Sequence, residues 1–142
     1  MPRFEQYPAR DTFTGTPAPV KLESARAREF RTMLRQGAAK GPNFAGHYTV
    51  VEWGCGSPCH AYAIVDARTG RVAYMADEPA ALGVGHRLDS EMLVVDPPGF
   101  WREAYGVNAP DVLTARAYYY RWDGERLVLL DSLPVGRGAG GP

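Results

Sequence analysis

Read for hydrophobic and polar positions alone, the chain changes its period once, near residue 40. Over "LESARAREFRTMLRQG" (22–37), Ala27, Phe30 and Leu34 recur at i, i+3 and i+7, with Met33 beside them. That spacing gathers apolar side chains on one face of an α-helix. Ser24 stands where an N-cap is wanted, and Gly37 is expected just past the C-terminus. Arg26, Arg28, Arg31 and Arg35 fall largely on the rest of the wheel, either as a solvated face or as a surface for an anion or acidic partner; Arg35 also complements the helix dipole.

Beyond the helix the period is two. "GHYTVVEW" (46–53) predicts a strand with His47, Thr49, Val51 and Trp53 on one face and Tyr48, Val50 and Glu52 on the other. "HAYAIVDA" (60–67) predicts a second strand, and "DARTGRVAYM" turns it back into a third. "HRLDSEMLVVDPP" (86–98) predicts a fourth strand and room for a fifth, with a tight turn at Asp89-Ser90. "GFWREAYGVNAPDVL" (99–113) has no clean period and fits a short helix at 100–105 or a long loop. In "ARAYYYRWDGERLVLLDSL", Asp123-Gly124 between two apolar runs is a strong hairpin signal. Four prolines in residues 1–20 block helix and predict an extended arm over the domain surface, with Phe4, Tyr7 and Phe13 as anchors. The segment 134–142 is Gly-rich and is expected to be disordered.

The expected architecture is α+β: one N-terminal helix on a curved antiparallel meander of about six or seven strands, closing into a half-open barrel or curling round the helix. The expected organisation is an arm at 1–20, one globular domain at 21–133 and a tail at 134–142.

Composition changes this picture little. The 142 residues suit one core, and 45% hydrophobic with 23% charged residues is ordinary for a globular protein. Lys+Arg and Asp+Glu are both 16, giving zero formal net charge, which argues against a nucleic-acid partner. No apolar run is long enough for a membrane span. "MPRFEQYPAR" has no apolar core of a signal peptide. The chain is then either cytoplasmic or the mature part of an exported protein.

The candidate chemistry gathers in "NFAGHYTVVEWGCGSPCHAYAIVDARTG" (43–70). Cys55 and Cys59, the only cysteines, lie in a turn between two strands. A tight loop brings two such residues within disulfide range, and a bridge over a three-residue spacer stabilises a loop shape more than a fold. Three alternatives stay open. Cys55, Cys59, His60 and His47 are a possible zinc set, although C-x3-C departs from the usual spacing. A redox dithiol lacks the following helix that lowers a thiol pKa. A catalytic Cys55 in "WGCGS" would take His47 or His60 as base. His86, in "GVGHRLD", reaches this loop only through the fold. Tyr118, Tyr120 and Trp122 share one strand face, as core or as a stacking surface for a sugar, peptide or base. Glu52, Asp66, Asp89 and Asp96 lie at plausible strand positions, with nothing to pair them.

The Asn-Phe-Ala-Gly-His-Tyr stretch, Trp-Gly-Cys-Gly with a second Cys, the Asp-x-x-Thr-Gly hairpin and "HRLDSEMLVVDPP" together resemble an uncharacterised family of small bacterial domains. The resemblance covers roughly residues 22–98 and the last hairpin. Many members look exported, so it implies a periplasmic or secreted setting and a disulfide, and it carries no activity. The functional expectation is a small exported binding domain, with His47, Trp53, Cys55, Cys59, His60 and Arg87 as ligand-binding residues. Its target would be a protein or a small ligand, with no cofactor. The competing expectation is a Cys/His enzyme or metal protein using the same loop.

Overall fold

The computed structural model describes residues 1–106 and 114–136. In order, its elements are α1 (Ala25–Glu29), α2 (Arg31–Ala38), β1 (Tyr48–Gly54), β2 (His60–Asp66), β3 (Val72–Met75), β4 (Val84–His86), β5 (Met92–Val95), α3 (Pro98–Tyr105), β6 (Arg116–Trp122) and β7 (Leu127–Pro134). Among the described residues the seven strands form two antiparallel sheets, β1-β2-β3 and β4-β5-β6-β7, rather than one meander, and they close no barrel.

The division follows from burial on both faces. Alternate residues of β1 and β2 point to opposite sides, and both sides are apolar. Val51, Trp53, Ala63 and Val65 pack under Ala27, Leu34 and Ala38 of the helices. Val50, Tyr62 and Ile64 pack against Val84, Leu93 and Trp122 of the other sheet. A sheet apolar on both faces needs a cover on each, and a helix supplies only one. The four-stranded sheet is treated alike: Met92, Val94, Ala117 and Tyr119 on its outer face lie beneath Phe4, Tyr7 and Trp101. The chain is therefore layered as helix, sheet, sheet and covering arm, with three apolar cores between the layers.

The single predicted helix is broken at Phe30, whose φ of −104° and ψ of 26° separate α1 from α2. The Ser24 side chain accepts the Ala27 N–H, as its position predicted. Gly37 is not past the helix end but inside α2. Its missing side chain lets the helix approach the sheet, because a Cβ there would lie 2.5 Å from Val51 Cγ1.

The N-terminal arm is fastened by backbone. The Ala9 N–H donates to Asp89 O, that of Phe13 to Gly46 O and that of Ala18 to Ala67 O, at 2.8–2.9 Å. Gly46, at φ +85°, has to be glycine, since a Cβ would overlap the Asp11 carbonyl. Residues 98–105 of the aperiodic stretch form α3, while 107–113 lie outside the described residues. At the other end Pro134 finishes β7, and Val135, 2% exposed, belongs to the third core rather than to a Gly-rich tail. Residues 137–142 lie outside the described residues.

Candidate functional site

The six expected site residues do not converge. Cys55 and Cys59 are paired at disulfide distance, with Cα atoms 5.0 Å apart. Beside them His60 opposes Gly54 across the β1–β2 ladder, and its Nδ1 lies 3.2 Å from Glu52 Oε2. Burial pushes the Glu52 carboxyl above its usual range, and His60 pulls it part of the way back. His47 precedes the far end of β1, roughly 20 Å away at the rise of an extended strand. It is buried, with Nδ1 3.1 Å from Asp66 Oδ1 and its ring 4.2 Å from that of Tyr48. Trp53 turns into the helix-facing core, 5.1 Å from Phe30. Arg87 fastens the arm: it bonds Asp89 at 3.0 Å and Glu5 at 3.1 Å, with its guanidinium 5.4 Å from the Phe4 ring. Each side chain thus has a local structural partner. Among the described residues no three His, Cys, Asp or Glu side chains come together in a metal-holding group.

One hollow, about 630 Å³, is mostly apolar and runs between the four-stranded sheet and Met1–Glu5. It is lined by the arm itself and reads as the seam along which the arm packs. A smaller hollow has a different character. Tyr62, Tyr74, Tyr118 and Tyr120 converge with Asp77, Glu78 and Asp96 on a space of about 400 Å³ between the two sheets, completed by Pro79 and Val95.

Local sequence explains each position. Tyr62 lies on the inward face of β2. On β3, Tyr74 opposes Ile64, and diagonal neighbours across strands stay within reach of aromatic rings. Their ring centroids are 6.3 Å apart. On the facing sheet Tyr118 opposes Val95 and Tyr120 opposes Leu93, so the period of two puts both tyrosines on the inward face. Asp77, Glu78 and Pro79 follow β3, where proline has no N–H with which to prolong the ladder.

Asp96 fixes the floor. It follows β5 directly, at φ +55°, a conformation that Asp tolerates better than most residues. Its Oδ1 accepts the N–H groups of Leu82 at 2.7 Å and Gly83 at 3.3 Å, and its Oδ2 accepts that of Ala81 at 3.2 Å. Ala80, just before them, exchanges both backbone hydrogen bonds with His60, at 2.8 and 2.9 Å. The 80–83 loop is thus held by both sheets, and through it the lining residues Pro79 and Asp96 are fixed in place.

The electrostatics are one-sided. The described lining residues include three carboxylates and no Lys, Arg or His. Asp77 is met by Arg26 at 3.6 Å on its own fully exposed side chain. Burial raises the Tyr62 phenol above its ordinary value, and Tyr74, Tyr120 and Asp96 raise it further. Burial also raises Tyr74 and Tyr120, with Asp77 adding to the first and Glu78 contributing to the second. Burial thus favours the neutral form of the Tyr62, Tyr74 and Tyr120 phenols. The lining offers hydroxyls, carboxylate oxygens and ring surface, with no nucleophilic thiol, serine or amine.

The aromatic stripe of β6 was visible in the sequence as a possible stacking surface. The contribution of Tyr62, Tyr74, Asp77 and Glu78 was not, because it requires knowing which sheet faces β6. The chain matches no protein-family model, no curated protein and no solved structure.

Proposed function

We propose that this chain is a small exported binding domain whose ligand site is the tyrosine-lined pocket between the sheets, and not the cysteine loop. The observation that carries the reading is the convergence of four phenols and three carboxylates from both sheets on one open space held by the Asp96-anchored loop. Concave sites of about 300–1,000 Å³ with a few converging polar groups are where small ligands bind. The disulfide pair at Cys55–Cys59 supports an oxidising compartment, and no helix among the described residues is long and apolar enough to cross a membrane. The competing Cys/His enzyme reading needs a free thiolate, and pairing occupies both sulfurs.

The test is a fragment screen on the ¹⁵N-labelled full chain, read as amide shifts. Hits are expected to move the amides of residues 62, 74, 118 and 120, and to lose affinity in Tyr118→Ala, a substitution at an exposed position. Hits that map to residues 54–60, or a screen in which nothing moves the pocket amides, would overturn the assignment.

A further inference from the structure

We propose, resting on that binding reading, that the occupant of the tyrosine pocket is a small organic cation carrying N–H donors, an alkylammonium or a guanidinium. Three observations converge. The first is charge: three carboxylates line the space, no Lys, Arg or His is among the described lining residues, and Arg26 reaches only Asp77, at 3.6 Å from outside the lining. An anionic guest would meet like charges in a site partly shielded from water, where they are felt strongly. A neutral guest would bury carboxylate surface and return nothing to it. A cation is repelled by none of the described lining groups and is attracted by three.

The second is acceptor chemistry. Ionised carboxylates only accept hydrogen bonds, and phenol oxygens accept as well as donate. Asp96 spends part of its capacity on Ala81, Leu82 and Gly83, which fixes its position while leaving its negative charge on the pocket wall. Asp77 and Glu78 have exposed side chains; Glu78 can turn to a guest, and Asp77 can do so by leaving its exposed pair with Arg26. Charge-assisted hydrogen bonds from N–H to carboxylate are the strong ones. A quaternary ammonium would leave these acceptors without donors.

The third is the rings. Tyr62 is 6% exposed and still lines the space. Tyr74 stands 6.3 Å from it, and Tyr118 and Tyr120 stand on the opposite sheet. Tyrosine faces attract cations within about 6 Å of the ring centre. Burial is the main reason the Tyr62, Tyr74 and Tyr120 phenols stand above their ordinary values, with smaller contributions of the same sign from Asp96, Asp77 and Glu78 respectively.

The experiment is titration of the full chain at pH 7 and low salt, followed by amide shifts at residues 62, 74, 118 and 120. The probes are n-butylammonium, butylguanidinium, choline, n-butanol and butyrate. Butylammonium and butylguanidinium are expected to bind. n-Butanol and butyrate are expected to bind at least about tenfold more weakly, in line with ~1.4 kcal/mol per factor of ten. An Asp77→Asn/Glu78→Gln variant, altered only at exposed positions, is expected to lose at least about tenfold in butylammonium affinity on the same scale. Butanol binding as well as butylammonium would overturn the cation inference while leaving the pocket a ligand site. Choline binding as tightly would overturn the N–H donor requirement. Silence from every cation, with neutral or anionic fragments moving the same amides, would refute this inference alone. Silence from all probes and all fragments would sink the binding reading beneath it. A blocked lysine peptide binding more tightly than butylammonium would overturn the assignment to a free small molecule.

Discussion

Gly37→Ala separates two accounts of a residue that the local sequence presents as a helix stop. Were Gly37 a terminus signal in the left-handed conformation, alanine would cost about 1 kcal/mol whatever stands at residue 51. Its position inside α2 makes helix propensity favourable to alanine by up to about 1 kcal/mol. The packing opposes this. A Cβ at residue 37 would lie 2.5 Å from Val51 Cγ1, 2.8 Å from Cγ2 and 3.1 Å from Cβ. Comfortable carbon contacts need about 3.5–4.0 Å. Rotation of Val51 cannot clear both methyls at once, so α2 has to lift from β1 or Val51 has to leave its rotamer. Overpacking of this kind costs typically about 1–3 kcal/mol. Set against the propensity gain, the expected net effect is a loss of about 1–2 kcal/mol. In a Val51→Ala background both methyls are gone, and the same substitution should stabilise by about 0.5–1 kcal/mol. The two backgrounds then differ by about 2 kcal/mol, well above the scatter of additive sites. Urea unfolding of the four proteins, followed by circular dichroism and extrapolated linearly, measures this directly. A Gly37→Ala that stabilises the wild-type background, or that acts equally in both, would refute the close-approach argument.

Two further outcomes are expected. Joint replacement of Cys55 and Cys59 by Ser should cost no more than about 2 kcal/mol in the same assay, because the ring closed is only about five residues. An intact mass two hydrogens below the thiol form checks the pairing, and a much larger loss of stability would show that the bridge holds more than its loop. His86 is half-buried, stands edge-on to Phe44 and puts Nδ1 3.1 Å from Asn43 O, and its partial burial lowers its pKa below the ordinary 6.5. A base with a depressed folded-state pKa gives stability that is present above its unfolded value and lost as pH falls below it. Acidification below about 6.5 should therefore destabilise the wild type more than His86→Asn. Equal slopes in melting temperature for the two proteins between neutral and mildly acidic pH would refute the assignment.

What the sequence determined by itself is local. The period of two over 46–53 and 60–67 specified β1 and β2 and the faces of their residues. Ser24 specified a helix start. Asp123-Gly124 specified the β6–β7 reversal, where Gly124 sits at φ +101° and Asp123 Oδ1 accepts the N–H groups of Glu125 and Arg126. The nearness of Cys55 to Cys59 follows from a short spacer across a turn. Each of these rests on interactions within a few residues, which a linear pattern records.

The tertiary structure decided the rest. That "HAYAIVDA" is apolar on both faces hinted at two covers, but nothing local said that the second cover is another sheet. Gly37 looked like a stop because its other role, giving way to Val51, depends on a strand fourteen residues later. His47 and His60 looked like partners because they flank one strand; the length of that strand keeps them apart and gives each its own carboxylate, Asp66 and Glu52. The tyrosine pocket exists only where the inward face of β2–β3 meets the inward face of β5–β6. Residues 62 and 120 come together there because burying both apolar faces of two sheets leaves them one way to stack, and the pocket forms at the open edge of that stack.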